Sequence, residues 1–423
     1  MTATLLLIAL FLLLLAMGTP VGMSLGASAL AAWLLTTDAS PMLAVQRLYA
    51  GADSFPLLAV PLFITAGEIM STGGISQRIV RLADALVGHL PGNLGLVCVT
   101  ASMIFAGISG SAAADVAAVG AIMIPALAKR GYDPARAAAL QAAAGSMGVV
   151  IPPSIPAIIY GALSGASVSR LFLAGVLPGL LMAVSLSLVW IWLNRHETSA
   201  RRPFSGRELK AALADGAWAL GVPVVVLTGI LSGMSTATES AAMALAYAML
   251  VGLFIYKKLK LKDVPGLILS SGLMSGVVMF MICAANMFGW LLTFNQASEQ
   301  LVSALLGLSR DPAILLLLIN VILLLAGCIL ETTAALILFV PVFLPLTAHL
   351  GITEVQFGII IILNLAIGML TPPVGVCLFV SCALGKVGLA SVSRAVLPFL
   401  LVLLPDLVLV CTVPALTNLP FLY

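Results

Sequence analysis

The chain has 423 residues, of which 62% are hydrophobic and 8% charged, with a formal net charge of +3 and a mean hydropathy of +1.20. A soluble protein of this length needs far more charge to cover its surface, and a membrane β-barrel needs an apolar/polar alternation that is missing, so both are excluded. Apolar runs of about 20 residues recur from end to end, the length that crosses a hydrocarbon core as a helix, and the expected fold class is an all-α polytopic membrane protein.

The N-terminal run MTATLLLIALFLLLLAMGTPVG lacks the basic start of a signal peptide and any small-x-small site before a soluble domain, so it is expected to be retained. Residues 1–37 form either two spans or one span kinked at MGTP. The stretch 55–72 is expected to cross inward. Residues 75–90 (ISQRIVRLADALVGHL) are too polar to span and read as an interfacial amphipathic helix. A hairpin at about 94–128 then enters and leaves from the cytoplasm, 134–165 crosses outward and 170–193 returns. Two spans at about 213–232 and 237–256 follow. After them 268–294 runs outward, 297–309 is a second interfacial helix, and a hairpin at about 311–346 enters from outside. The segment 352–384 crosses inward and 392–411 outward. This layout places every one of the 19 Lys and Arg on the cytoplasmic side except Arg47, Arg170 and Arg310, the positive-inside pattern. The net positive charge suits an anionic membrane surface, and no nucleic-acid partner is expected.

A repeat underlies the order. At a spacing of 220 residues Gly107 falls on Gly327, Pro125 on Pro345, Gly131 on Gly351 and Gly148 on Gly368. The same spacing takes Pro152 and Pro153 onto Pro372 and Pro373, Gly165 onto Gly385 and Pro178 onto Pro398. Gly and Pro mark where a helix must stop, so registered breaks indicate a duplicated backbone. The first hairpin opens inward and the second outward, which makes the copies inverted, as in secondary transporters with midplane sites. The expected organisation is residues 1–50 as N-terminal scaffold helices and 51–195 as the first repeat. Residues 196–265 hold a basic cytoplasmic segment with two linking spans, and 266–423 form the second repeat.

The hairpin tip GISGSAAAD (107–115) places Gly, Ser and Asp inside an apolar run, and GVVIPPSIP (148–156) interrupts the next helix. Bare backbone at membrane depth is tolerated where it lines a cavity or meets protein, and Pro removes donors from nearby carbonyls. Carbonyls near Gly107, Gly110 and Pro152, with the hydroxyls of Ser109 and Ser111, are hard oxygen ligands suited to Na⁺. The second half repeats this with Gly327, Thr332 and Thr333 at its tip and Thr371, Pro372 and Gly375 at its break. Two cation sites are therefore expected, with an anionic substrate held between the tips by Ser111, Ser154, Glu331, Thr332 and Asn364, where helix N-termini favour negative charge. Asp115 and Glu331 are intramembrane acids, functional or helix-capping; Glu68 and Glu239 lie near span ends and read as structural. Arg47 either docks a partner, attracts an anion or snorkels. The six cysteines (Cys98, Cys283, Cys328, Cys377, Cys382, Cys411) lack metal-ligand spacing and read as buried thiols.

FAGISGSAAAD, IPPSIPAIIYG, LFLAGVLPG, NLAIGMLTPPVG and SFPLLAVPLFITAGEIM closely resemble the large membrane subunit of tripartite ATP-independent periplasmic (TRAP) transporters, DctM/SiaM type, over essentially the whole chain. The resemblance implies Na⁺-coupled uptake of an organic acid into a bacterial cytoplasm across the inner membrane, by an elevator-like motion. It also implies a periplasmic substrate-binding protein and a small four-helix membrane subunit. The large-subunit pattern starts at once, so the small subunit is expected on a separate polypeptide. The family's Na⁺ and substrate regions map onto Gly107–Ser111, Pro152–Ser154, Gly327–Thr333 and Thr371–Gly375, with no organic cofactor.

Three rival readings stand beside this one. The first is a stand-alone Na⁺/organic anion symporter or antiporter needing no binding protein. The second is a channel, against which the paired hairpins argue. The third is a membrane enzyme, against which the scattered His89, His196 and His349 argue.

Overall fold

The computed structural model describes residues 2–195 and 203–418, and no strand occurs among them. Among the described residues eight helices are long and apolar enough to cross a membrane. His196, Arg201 and Arg202 of the basic segment lie outside the described residues.

The N-terminal stretch resolves into two helices, α1 (Thr2–Ala16) and α2 (Val21–Thr36), packed side by side after a turn at Gly18. An element not expected from the sequence follows, α3 (Pro41–Ala52), started by Ser40, whose hydroxyl accepts from the Met42 N–H, and by Pro41 in its first turn. It runs across the boundary expected at residue 50. Next come α4 (Ala59–Thr72), led in by a 3₁₀ turn Phe55–Leu58, and α5 (Ile75–Val87), which buries Ile75, Ile79 and Leu82 on one face. Helices α6 (Asn93–Ser109) and α7 (Ala112–Lys129) form the first hairpin, with only Gly110 and Ser111 between them.

The following span is interrupted. Helix α8 (Pro134–Gly145) tightens into a 3₁₀ turn at Ser146–Val149, loses helical form, and resumes as α9 (Ile155–Ser164). Helix α10 (Val168–Leu193) completes the first half. Two linking helices follow, α11 (Gly206–Leu231) and α12 (Ala237–Leu250), the latter ending in a π turn Val251–Ile255. The first of them begins about two turns earlier than the expected 213, because Ser205 caps the Glu208 N–H and turns basic-segment residues into helix.

The second half contains α13 (Val264–Phe294), α14 (Ala297–Leu308), and a hairpin of α15 (Pro312–Gly327) and α16 (Thr332–Phe343). The short α17 (Thr347–Leu350), the interrupted pair α18 (Glu354–Gly368) and α19 (Val376–Gly385), and α20 (Leu389–Thr412) complete it. Helix α18 starts at Glu354, 220 residues after Pro134 starts α8. Helices α7 and α16, α9 and α19, and α10 and α20 start at the same spacing to within one residue.

The halves interleave. Helix α9, beyond the first break, packs on α16 of the second hairpin; α19, beyond the second break, packs on α7 and α8. Helix α10 lies against α20. On the other side α13 rests on α2, α3 and α4, and α12 also rests on α4. Several polar groups in these helices have local partners. Glu239 closes a capping box with Thr236, Glu68 accepts from the Ser270 hydroxyl, and Thr65 donates to Ser271 at 3.0 Å. All six cysteines are free; Cys98, Cys328 and Cys377 are buried and the others half-buried.

Candidate substrate and cation site

The first tip and the first break are in direct contact. Gly110 ends α6 at φ +64°, a left-handed conformation that glycine adopts without penalty, and its carbonyl accepts the Ile155 N–H at 3.2 Å. A methyl group on Gly110 would stand 2.7 Å from the Pro153 carbonyl oxygen, and one on Gly148 would stand 3.0 Å from the Ser111 carbonyl oxygen. On Gly107 a methyl would lie 3.7 Å from the Pro152 carbonyl oxygen. Ser109 and Ser111 sit together, the Ser109 hydroxyl 3.4 Å from both the carbonyl oxygen and the N–H of Ser111. Ser154 caps α9, accepting from the Ala157 N–H at 3.2 Å. Pro152 and Pro153 withhold the donors that a continuing helix would offer to Gly148 and Val149, and the Ser154 hydroxyl donates to Val149 instead.

The second junction is built alike from different side chains. Gly327 and Gly368 meet backbone to backbone, a methyl on Gly368 falling 2.7 Å from the Gly327 Cα. The N–H groups of Val374 and Gly375 donate to the Cys328 carbonyl at 3.3 and 3.4 Å. Thr332 lies at the start of α16 with its hydroxyl 2.8 Å from the Met369 sulfur, and the Thr333 hydroxyl donates to Glu331 at 3.0 Å. Thr371 donates to the Ile367 carbonyl at 3.0 Å, and Pro372 follows it; the Pro152–Pro153 and Pro372–Pro373 bonds are both cis. Pro152–Ser154 are buried, whereas Thr371 and Pro372 are half-buried and Pro373 exposed.

Asn364 lies outside the tip contacts. Its amide donates to the Asn320 backbone carbonyl (2.9 Å) and side-chain oxygen (2.7 Å), tying α18 to α15. In the first half Gln141 does the same work between α8 and α6, donating to Ser102 at 3.1 Å and accepting from Cys98 at 3.0 Å. Sequence reading missed this pair of braces, although an amide inside AAALQAAAG was the available signal. Asp115 is fully buried in the first turn of α7, its N–H donating to the Ser111 carbonyl at 3.0 Å. Arg47 lies on α3 with its guanidinium 5.5 Å from the Trp290 ring, itself stacked on Trp33.

A cavity of about 1250 Å³ runs between Pro20–Met23, the face of α13 from Pro265 to Met281, and the second tip at Glu331 and Ala334. Its walls are apolar, and among the described residues Glu331 is the charged one lining it.

Residues 8–416 match the family described as "Tripartite ATP-independent periplasmic transporter, DctM component". The chain belongs to that family. The DctM-family chain is 39% identical over 408 residues to the 2,3-diketo-L-gulonate TRAP transporter large permease protein YiaN of Escherichia coli, covering 96% of each. It is 38% identical over 401 residues to the sialic acid TRAP transporter large permease protein SiaM of Vibrio cholerae, covering 95% of this chain and 94% of that one. It is also 39% identical over 412 residues to the isethionate TRAP transporter permease protein DctMQ of Oleidesulfovibrio alaskensis, of whose length it spans 64%. Among solved structures the YdaH transporter of Alcanivorax borkumensis shares the fold, with a TM-score of 0.64, 16% identity and 97% of each chain covered. This DctM-family chain is thus a TRAP large permease subunit, a multi-pass protein of the bacterial inner membrane and a transport subunit rather than an enzyme.

Proposed function

We propose that this permease subunit takes up a small organic anion together with Na⁺, receiving it from a periplasmic substrate-binding protein and working with a small four-helix membrane subunit. Relatives named for diketogulonate, sialic acid, C4-dicarboxylate and isethionate support an organic acid, carboxylate or sulfonate, as cargo. The observation that carries the reading is the doubled tip-to-break junction, at Gly110–Ile155 and at Cys328–Val374/Gly375. In this reading 51–195 and 266–423 are inverted repeats, the hairpins α6–α7 and α15–α16 are re-entrant, and the broken helices place their ends at mid-depth.

The donor set suits Na⁺, a hard cation that takes oxygen. The first site draws on backbone carbonyls near Gly107, Gly110 and Pro152 with the hydroxyls of Ser109 and Ser111. The second draws on Gly327, Thr332, Thr333, Thr371, Pro372 and Gly375. No group of three or more His, Cys, Asp or Glu capable of holding a metal occurs among the described residues, so a transition-metal site has no support. Bound Na⁺ supplies positive charge beside an incoming anion. The N-termini of α7 and α16, at Ser111 and Thr332, add theirs, with Ser154 and Glu331 as further substrate contacts in this reading.

Elevator-type motion draws support from the cavity, which opens between the second tip at Glu331 and Ala334 and the face of α13 from Pro265 to Met281, while α13 and α16 pack together further along, at Gly289 and Pro341. The test is uptake into proteoliposomes holding this chain and its small subunit. Uptake that needs both an inward Na⁺ gradient and the binding protein is the expected result. Accumulation without the binding protein, or without Na⁺, overturns the proposal.

A further inference from the structure

The turn that joins α12 to α13, YKKLKLKD (256–263), carries Lys257, Lys258, Lys260 and Lys262, all exposed. Positive-inside topology accounts for their sign, but not for the rigid setting in which they are held. Leu259 is buried at 3% exposure and its N–H donates to the Gly252 carbonyl at 3.3 Å, pinning the turn to the end of α12. Tyr256 donates its hydroxyl to the Asp215 carbonyl of α11 at 2.9 Å. Arg78 of α5 lies 3.7 Å over the Tyr256 ring and pairs with the Asp215 carboxylate at 3.1 Å, and Arg81 reaches the other carboxylate oxygen at 3.3 Å. The Lys258 side chain and the Arg78 guanidinium both close on Gly74. Three segments far apart in sequence are thus locked into one basic surface.

The nearest acids are already engaged. Asp215 is shared by two arginines, and Asp263 accepts from the Lys260 N–H at 3.3 Å. Among the described residues no carboxylate pairs with any of the four exposed ammonium groups. Beside them Leu261 is 75% exposed, and Phe254, Ile255 and Ile268 are exposed on the helices that enter and leave the turn. Charge above and apolar side chains below match the headgroup and acyl regions of a phospholipid.

We propose that the α12–α13 turn, with Arg81 of α5, is a binding site for anionic phospholipid headgroups of the surrounding membrane. Its phosphate sits among Lys257, Lys258, Lys260 and Lys262, and its acyl chains lie against Leu261 and Phe254. Bound lipid anchors this corner of the molecule to one leaflet.

The experiment reconstitutes the full chain into phosphatidylcholine vesicles containing 10% phosphatidylglycerol as probe, extracts it in mild detergent, and counts retained lipids by native mass spectrometry. Each lysine near a charged surface contributes roughly fivefold in binding, so the ratio of phosphatidylglycerol to phosphatidylcholine retained is expected to exceed that of the vesicles by about tenfold or more. The variant K257Q/K258Q/K260Q/K262Q is expected to fall to the vesicle ratio, and the corresponding four-arginine variant to keep the enrichment. K129Q/R130Q, which removes basic charge at the α7–α8 turn, is expected to leave it unchanged. Inorganic phosphate at 20 mM, the free-anion arm, is expected not to displace the lipid. Equal retention by the four-glutamine variant, equal loss in K129Q/R130Q, or displacement by phosphate each overturns the proposal.

Discussion

Gly327 and Gly368 let two backbones touch, and that contact leaves no room for a side chain on either residue. Changing Gly368 to Ala drives a methyl against the Gly327 Cα, and a clash of backbone with backbone costs about 1–3 kcal/mol. A fall in the melting temperature of the detergent-purified chain reports it. Gly266, in the first turn of α13, has nothing within 4 Å of a built Cβ. Gly266→Ala is expected to be neutral or to stabilise by up to about 1 kcal/mol, since only helix propensity changes. Ser111 is a different case, because its hydroxyl points to function rather than packing. If it ligates Na⁺ as proposed, Ser111→Ala raises the Na⁺ concentration for half-maximal uptake by about tenfold or more, in line with a lost hydrogen bond to charge. An unchanged Na⁺ dependence removes Ser111 from the ligand set.

Helices in this protein were legible where hydrophobic length or a proline punctuates the chain. The spans at 55–72, 237–256 and 392–411, the two hairpins, and the breaks at Pro152–Pro153 and Pro372–Pro373 follow from those local signals. Helix α3 escaped because its 12 residues are too few and too mixed to stand out as a span, leaving only Ser40–Pro41 as a start signal. The early start of α11 escaped because charged residues from 206 to 210 mask a capped helix end. The paired braces Gln141–Ser102 and Asn364–Asn320 belong at this scale too. Each bonds a hairpin's first helix to the interrupted helix beside it. Asn364→Leu leaves the Asn320 side-chain oxygen without its donor in an apolar setting and is expected to cost about 1–2 kcal/mol. The double change Asn320→Leu/Asn364→Leu recovers part of that loss, and thermal melts of all three variants measure the coupling.

Across the whole molecule the two halves are locked by exchange, α9 lying on the second hairpin and α19 on the first. Both junctions therefore travel together if either moves. The cavity lies between the second tip, at Glu331 and Ala334, and the α13 side. In a cysteine-free background, Leu273→Cys with Ala334→Cys places one thiol on each wall of it. A short bifunctional thiol reagent is expected to stop uptake in that double variant and spare both single variants. Continued transport by the cross-linked protein argues against movement across this gap.

Hydrophobic length, the positions of helix breaks and the sign of the loops are local properties, each set by a few neighbouring residues, and the linear chain carried them without help. Which tip meets which break, that Asn364 engages Asn320, and that Arg78, Asp215 and Tyr256 gather a basic surface were decided by tertiary structure alone. The reason is physical. Contacts between separate helices, from Tyr256–Asp215 at 41 residues apart to Arg78–Asp215 at 137, depend on how helix surfaces fit side by side, and no spacing within one segment encodes that fit.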